Sequence, residues 1–285
     1  MNNILVTGAS GLLGSHVVKH LLEKECHVIV SILPEEKSTY KPLDGVEVIV
    51  NDDIFQANFP HIFTVINCAF ARSNQAQDLA SAIDFTQKLI DGFKLGKVDS
   101  VINISSQGVY KRLPVGELSK EDSLIEPIDL YSMAKYAVEK TFETSGLSNV
   151  TNVRLASINM KQRFLYNFVQ KAKNNEVITI NSPTLYASIL DVEDAAEALA
   201  RLAMLPIENR KPIYNLGTGN QISLMHLAEL VNAIGERFNA KAQIVLQDNG
   251  TTNTAGVDIS LISADCDWTP IVTNEQMIEN YFLED

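Results

Sequence analysis

The sequence is short of the features that mark several protein classes. Its 285 residues carry three cysteines, Cys26, Cys68 and Cys266, at long spacings and with no CxxC pair. That argues against a disulfide framework and a structural zinc site, and points to a reducing compartment. Positive charge is in deficit: 23 Lys and Arg stand against 35 Asp and Glu, a net charge of −12. A surface of that sign repels phosphate backbones and anionic lipid, which makes nucleic acid and membranes poor partners. No apolar run approaches the ~20 residues needed to span a bilayer. The N-terminus has no basic start and runs from a short apolar stretch straight into a glycine turn, unlike a signal peptide. Repeats, low-complexity tracts and long linkers are absent. The expectation is a soluble cytoplasmic enzyme, and a hydrophobic fraction of 46% is ample for a packed core.

What is there alternates. Short Val/Ile runs at Asn3–Thr7, His27–Ser31, Val46–Val50, Phe63–Asn67, Ser100–Ser105 and Asn152–Leu155 predict strands. Helical spacing separates them at Leu12–Lys24, Asp78–Lys94 and Leu130–Glu143. Near-continuous apolar strands divided by helices predict an α/β fold, a Rossmann-type doubly wound parallel sheet covered on both faces. After residue 158 the pattern loosens, with helical segments at Gln162–Lys173, Val192–Met204, Leu224–Phe238 and Asn274–Phe282. The division read here is a dinucleotide-binding domain over 1–158 and a mainly substrate-binding α/β region over 159–285. Some later segments are expected to return to the first sheet.

Gly8-Ala9-Ser10-Gly11-Leu12-Leu13-Gly14 follows the first strand directly and opens the first helix. Glycine turns the chain sharply and lets a diphosphate approach the backbone. The helix start supplies free N–H groups and a partial positive charge. An anionic chain thereby gains a local site for a dinucleotide. Tyr131-Ser132-Met133-Ala134-Lys135 is a YxxxK at a helix start, so phenol and ammonium share a face. A nearby ammonium lowers the tyrosine pKa from about 10. Ser105-Ser106 ends a predicted strand and runs on into Gln107-Gly108-Val109-Tyr110, and 131 − 106 = 25 residues leave room for a loop back to the same edge. His16 and His20 have metal-like spacing but no third ligand, so no metal site is expected.

The GxxGxxG turn, the SSxxVY segment and the YxxxK together resemble the extended branch of the short-chain dehydrogenase/reductase superfamily. The resemblance implies Ser106 as the substrate-orienting hydroxyl and Tyr131 as general acid/base. It implies Lys135 as the group that lowers the tyrosine pKa and holds the nicotinamide ribose. Asn51-Asp52-Asp53-Ile54 resembles the family's GD[ILV] segment, with Asp53 toward adenine. Asn67-Cys68-Ala69-Phe70 resembles H-x-A-A or H-x-A-G beneath the cofactor, with Arg72 just beyond as a phosphate or ribose contact. The cofactor is NAD or NADP. Where the family places an acid after the second strand this chain has Ile32, with Glu35, Glu36, Ser31 and Lys37 nearby, which leaves the choice open.

Ser188-Ile189-Leu190-Asp191-Val192-Glu193-Asp194 resembles F-I-H-V-D-D, and Tyr214-Asn215-Leu216-Gly217-Thr218-Gly219 resembles Y-N-[IV]-G-x-G. Asp258-Ile259-Ser260 and Asp267-Trp268-Thr269-Pro270 resemble the closing D-[IVT]-S…W-x-P, with Trp268 read as structural. These extend the resemblance over most of the chain, toward the NAD-dependent epimerase/dehydratase group acting on nucleotide sugars. Departures matter. Ser106-Gln107-Gly108 stands where dehydratases carry Thr-Asp-Glu, so elimination of water is not expected. Leu185 or Tyr186 replaces an arginine of the diphosphate clamp. Ser106, Gln107, Ser157, Asn159 and Arg163 are the candidate substrate contacts. The implied activity is hydride transfer at a carbinol or keto carbon of a nucleoside-diphosphate sugar, by a 4-epimerase or 4-keto reductase. A reductase of a small non-sugar carbonyl and a non-catalytic dinucleotide-binding regulator are the alternatives. A homodimer through the helices around Asp78–Lys94 and Leu130–Glu143 is also implied.

Overall fold

A computed structural model describes residues 3–54, 61–95, 98–161, 163–250 and 254–284, without the side chains of 52, 53 and 95. The chain opens as β1 (Asn3–Thr7), α1 (Leu12–Glu23), β2 (His27–Ile32), β3 (Val46–Val50), α2 (Asn51–Ile54) and β4 (Ile62–Asn67). It continues through α3 (Ala76–Leu95), β5 (Val98–Ser106), α4 (Leu130–Glu143), β6 (Val150–Leu155) and β7 (Ser157–Ile158). Next come α5 (Phe164–Lys173), β8 (Val177–Ile180), β9 (Tyr186–Ala187), β10 (Ile189–Leu190), α6 (Val192–Met204) and β11 (Ile213–Leu216). The remainder is β12 (Ile222–Ser223), α7 (Leu224–Gly235), β13 (Gln243–Leu246), α8 (Ser260–Cys266) and α9 (Asn274–Leu283).

Seven strands form one sheet in the order β11-β6-β5-β4-β1-β2-β3, parallel at every pairing. The strand order reverses between β1 and β4, and ligands of open α/β sheets bind at such a switch point, outside the carboxyl ends. Both faces are covered, as the doubly wound reading expects. α1, α6 and α8 bury Val17, Leu21, Leu199 and Ile262 against one face. α3 and α4 bury Leu89, Ile90, Val138 and Phe142 against the other. A separate core forms over the carboxyl edge, where α5, α7 and α9 pack Phe168, Val231 and Tyr281 on β8 and β13.

The later sequence motifs are largely scaffold. Asp191 caps α6 by accepting from Glu193 N (2.9 Å). Asp194 accepts from Ile271 N and Val272 N (3.1 and 2.9 Å), pinning the C-terminal segment to α6. Tyr214 donates to Asp265 (2.7 Å). Trp268 is buried in the core beneath α6.

Candidate active site

Three strand ends converge at the switch point. After β1, Gly8 takes φ +67, and a Cβ there would lie 2.8 Å from the Ala69 backbone. Any side chain would push the turn off the end of β4 and strain the backbone. Gly14 is closed in the same way, because an added Cβ would strike the Gly8 carbonyl. Gly11 is the N-cap of α1, with no side chain capping it. The first N–H groups of α1, from Leu12 and Leu13 onward, are therefore left for a ligand. Ser10, Gly11 and Leu12 are exposed there. At the carboxyl ends of β2 and β3, Ser31 Oγ and Asn51 Oδ1 are buried with no hydrogen-bond partner. An open helix start beside two orphaned polar atoms suits a dinucleotide, whose diphosphate and adenosine offer the missing partners. A cavity of about 620 Å³ opens on the α1 side of the turn, lined by Ser10, His16, Lys19, Tyr40 and Lys41. It adjoins the turn but no proposed catalytic residue lines it. Ile54 is fully buried in the core, and the side chain of Asp53 lies outside the described residues.

β5 and α4 bring the reactive groups together. Asp129 caps α4 by accepting from Ser132 N (2.7 Å), which sets Tyr131 in the first turn and Lys135 one turn on. Gly108 lets the end of β5 close on that turn, since a Cβ there would strike Ser132 Oγ. Ser106 Oγ accepts from Gly108 N (3.1 Å), so its own proton is free to be donated. Lys135 Nζ donates to Ile104 O (2.8 Å) and lies 4.0 Å from the centroid of the Phe70 ring and 5.9 Å from that of Tyr131. Phe70 and Tyr131 meet edge-on, 5.9 Å apart.

The electrostatics differ from the sequence expectation. Burial pushes the Tyr131 phenol above its ordinary value; Arg72 opposes this and Asp129 reinforces it. Burial also pulls the Lys135 ammonium down to about 7. The Tyr131 phenol is thus raised where helix spacing led to a lowered one, with Arg72 as the charge that opposes the rise. Helix spacing placed the two side chains on one face, but Lys135 turns inward to a carbonyl that periodicity does not reveal. The exposed Arg72 reaches across the cleft to Met160 Sδ (2.8 Å). Cys68 is pushed up to about 12 by burial, which fits packing and not a reactive thiolate.

Of the substrate candidates, Gln107 is buried with Oε1 unpartnered and lines a small cavity with Arg112, Gln221 and Thr254. Ser157 lies in β7 and Arg163 at the N-terminus of α5, both half-buried. Asn159 accepts from Tyr281 OH (2.9 Å), which ties α9 to the end of β7. His16 and His20 both face Glu193 (3.8 and 2.9 Å), and no metal-binding cluster occurs among the described residues. No helix among them is long and apolar enough to cross a membrane.

Sequence reasoning missed a buried brace. Arg154 donates through Nε and Nη2 to Glu139 (3.1 and 2.8 Å), and Ser105 Oγ donates to the same carboxylate. Arg154 also donates to Tyr110 OH (2.9 Å), which donates to Asn215 (2.8 Å). Glu139 stands one turn beyond Lys135, so the brace locks α4 onto β5 and β6. The available signal was Arg154 near the end of the buried strand β6.

The pattern of the NAD dependent epimerase/dehydratase family matches residues 4–217. Protein CapI of Staphylococcus aureus is 24% identical over 98% of this chain and 96% of its own. The dTDP-4-dehydro-6-deoxyglucose reductase of Escherichia coli is 23% identical over 98% and 96%. The structure of UDP-glucose 4-epimerase with UDP-glucose from Thermotoga maritima superposes with TM-score 0.78 at 22% identity, covering 99% of this chain and 97% of that one. That likeness is one of fold. The family pattern spans three-quarters of the chain and contains the turn, the Ser106 strand end and the Tyr131–Lys135 helix: the chain belongs to the NAD dependent epimerase/dehydratase family.

Proposed function

We propose that the chain transfers hydride reversibly between NAD(P) and a carbinol or keto carbon of a nucleoside-diphosphate sugar, as a 4-epimerase or 4-keto reductase. What supports this is that β5 ends at Ser106, with Gly108 packed against Ser132 in the first turn of the helix carrying Tyr131 and Lys135, at the same carboxyl edge of the sheet as the open start of α1. The bound dinucleotide would supply or accept the hydride at the substrate carbon. Gly8, Ser10, Gly11, Leu12, Leu13 and Gly14 hold its diphosphate. Ala69 and Arg72 line the rest, Asp53 is the acid toward adenine, and Lys135 holds the nicotinamide ribose, while Ile54, fully buried in the core, takes no part. Ser106 donates a hydrogen bond to the substrate oxygen and keeps its proton, its own oxygen accepting from Gly108 N. Tyr131 delivers a proton to that oxygen as the carbonyl is reduced and takes it back in the reverse direction. Gln107, Ser157 and Arg163 face the substrate in this reading. The Escherichia coli relative is named a reductase and the Thermotoga structure an epimerase, and both chemistries use the same groups.

The test begins by denaturing the purified protein and identifying any released dinucleotide. A panel of nucleotide sugars and their 4-keto forms is then assayed. Consumption of NAD(P)H with a keto form identifies a reductase, and interconversion without net consumption identifies an epimerase. Full activity in Tyr131→Phe overturns the mechanism. A second reading, reduction of a small non-sugar carbonyl, is favoured by Leu185 and Tyr186 where a diphosphate-binding arginine would stand. It predicts turnover of small ketones and none of the sugars. A homodimer through α3 and α4 belongs to the first reading and is checked by sedimentation equilibrium.

A further inference from the structure

Phe70 follows Ala69, whose backbone lies against the Gly8 turn, and its half-buried ring projects over the helix that carries Tyr131 and Lys135. An ammonium has three N–H directions. Lys135 spends one on Ile104 O (2.8 Å), and the Phe70 ring lies 4.0 Å from Nζ on another side. The lysine is 5% exposed. The ring covers one side of an ammonium that is already almost wholly buried. The role assigned above to Lys135, holding a ribose hydroxyl, requires that it be reached.

We propose that Phe70 is a gate over Lys135: its ring shields the ammonium, and a dinucleotide completes its binding only after the ring has swung off. The inference rests on the reading of Lys135 as a ribose-binding group. The local chain permits the motion. Ala69 is held by its backbone against Gly8, whereas the stretch from 71 to 75 has no regular structure before α3 begins at Ala76. The ring leaves by rotating between staggered side-chain positions, without disturbing β4. A fraction of molecules with the gate open sets the apparent affinity, which a ring removed altogether raises. A desolvated cation–π contact of ordinary strength corresponds to a gain of about 30-fold.

The test is equilibrium binding of NADH and of NADPH to the full chain, followed by nucleotide fluorescence, in the wild type, Phe70→Ala and Phe70→Leu. In Phe70→Ala affinity rises about 30-fold. Phe70→Leu, with bulk but no π face, falls between them and supplies the answer if the alanine variant folds poorly. Unchanged affinities in both variants overturn the gate and leave the proposed function standing. Weaker binding in Phe70→Ala also overturns it, by making the ring a partner of the dinucleotide. Failure of all three proteins to bind either dinucleotide refutes the functional reading, and the gate with it.

Discussion

Replacing Lys135 with methionine isolates the cost of burying an ammonium in this fold. Burial pulls Lys135 from 10.5 to about 7. Between those values the unfolded chain binds a proton that the folded chain does not, so the free energy of unfolding rises with pH across that window. At 1.36 kcal/mol per pH unit the full penalty is about 5 kcal/mol, borne by the wild type below about pH 7 and absent from Lys135→Met. The variant loses the hydrogen bond to Ile104 O, which leaves a buried carbonyl unpaired at a cost of about 1 to 3 kcal/mol. Near pH 6 Lys135→Met is therefore more stable than the wild type by about 2 to 4 kcal/mol, and near pH 9 the advantage shrinks by about 2 to 3 kcal/mol. Urea unfolding of both proteins at several pH values in that interval, compared as a difference, cancels the other titrating groups. A difference that does not change with pH would show that Lys135 is charged throughout, and would refute the burial argument.

Three further outcomes are expected. Tyr131→Phe removes the proton donor and lowers kcat by about 10² to 10⁴ while dinucleotide affinity, measured by fluorescence titration, stays within about 2-fold. Glu139→Gln leaves the guanidinium of Arg154 buried without its counter-ion and lowers stability to denaturant by about 3 to 5 kcal/mol. The double variant Glu139→Leu/Arg154→Met, lacking both charges, loses less. Gly8→Ala meets both φ +67 and the backbone of Ala69, so it abolishes measurable dinucleotide binding and costs about 1 to 3 kcal/mol of stability.

The fold was legible where one element buries a long, regular stretch. The Val/Ile period marks β3 at Val46–Val50, and the i, i+4 pattern marks α4 at Leu130–Glu143 and α6 at Val192–Met204, each to the residue. Leu224–Phe238 is one helix by periodicity but breaks after Gly235 into a short 3₁₀ turn. The two-residue pairings β7–β10 and β9–β12 carry no period at all, and α8 was hidden within the D-I-S to W-x-P stretch. The candidate site divides in the same way. Ser106, Tyr131 and Lys135 were visible because strand end and helix spacing are local properties. The Phe70 ring over Lys135, and Arg154 reaching Glu139, arise where elements far apart in the chain pack together. The direction of the Tyr131 shift depends on its burial in the folded chain, which helix spacing does not report.

The sheet places its last-made strand at one rim: β11 (Ile213–Leu216) completes the hydrogen bonding of β6 (Val150–Leu155). During synthesis, the growing polypeptide must therefore leave β6 with an unsatisfied flank until some sixty further residues have left the ribosome. Nascent chains in that interval expose a sticky ribbon to their neighbours on a polysome. Truncation anywhere upstream of β11 makes that exposure permanent and turns β6 into the rim of any shortened nucleotide-binding module.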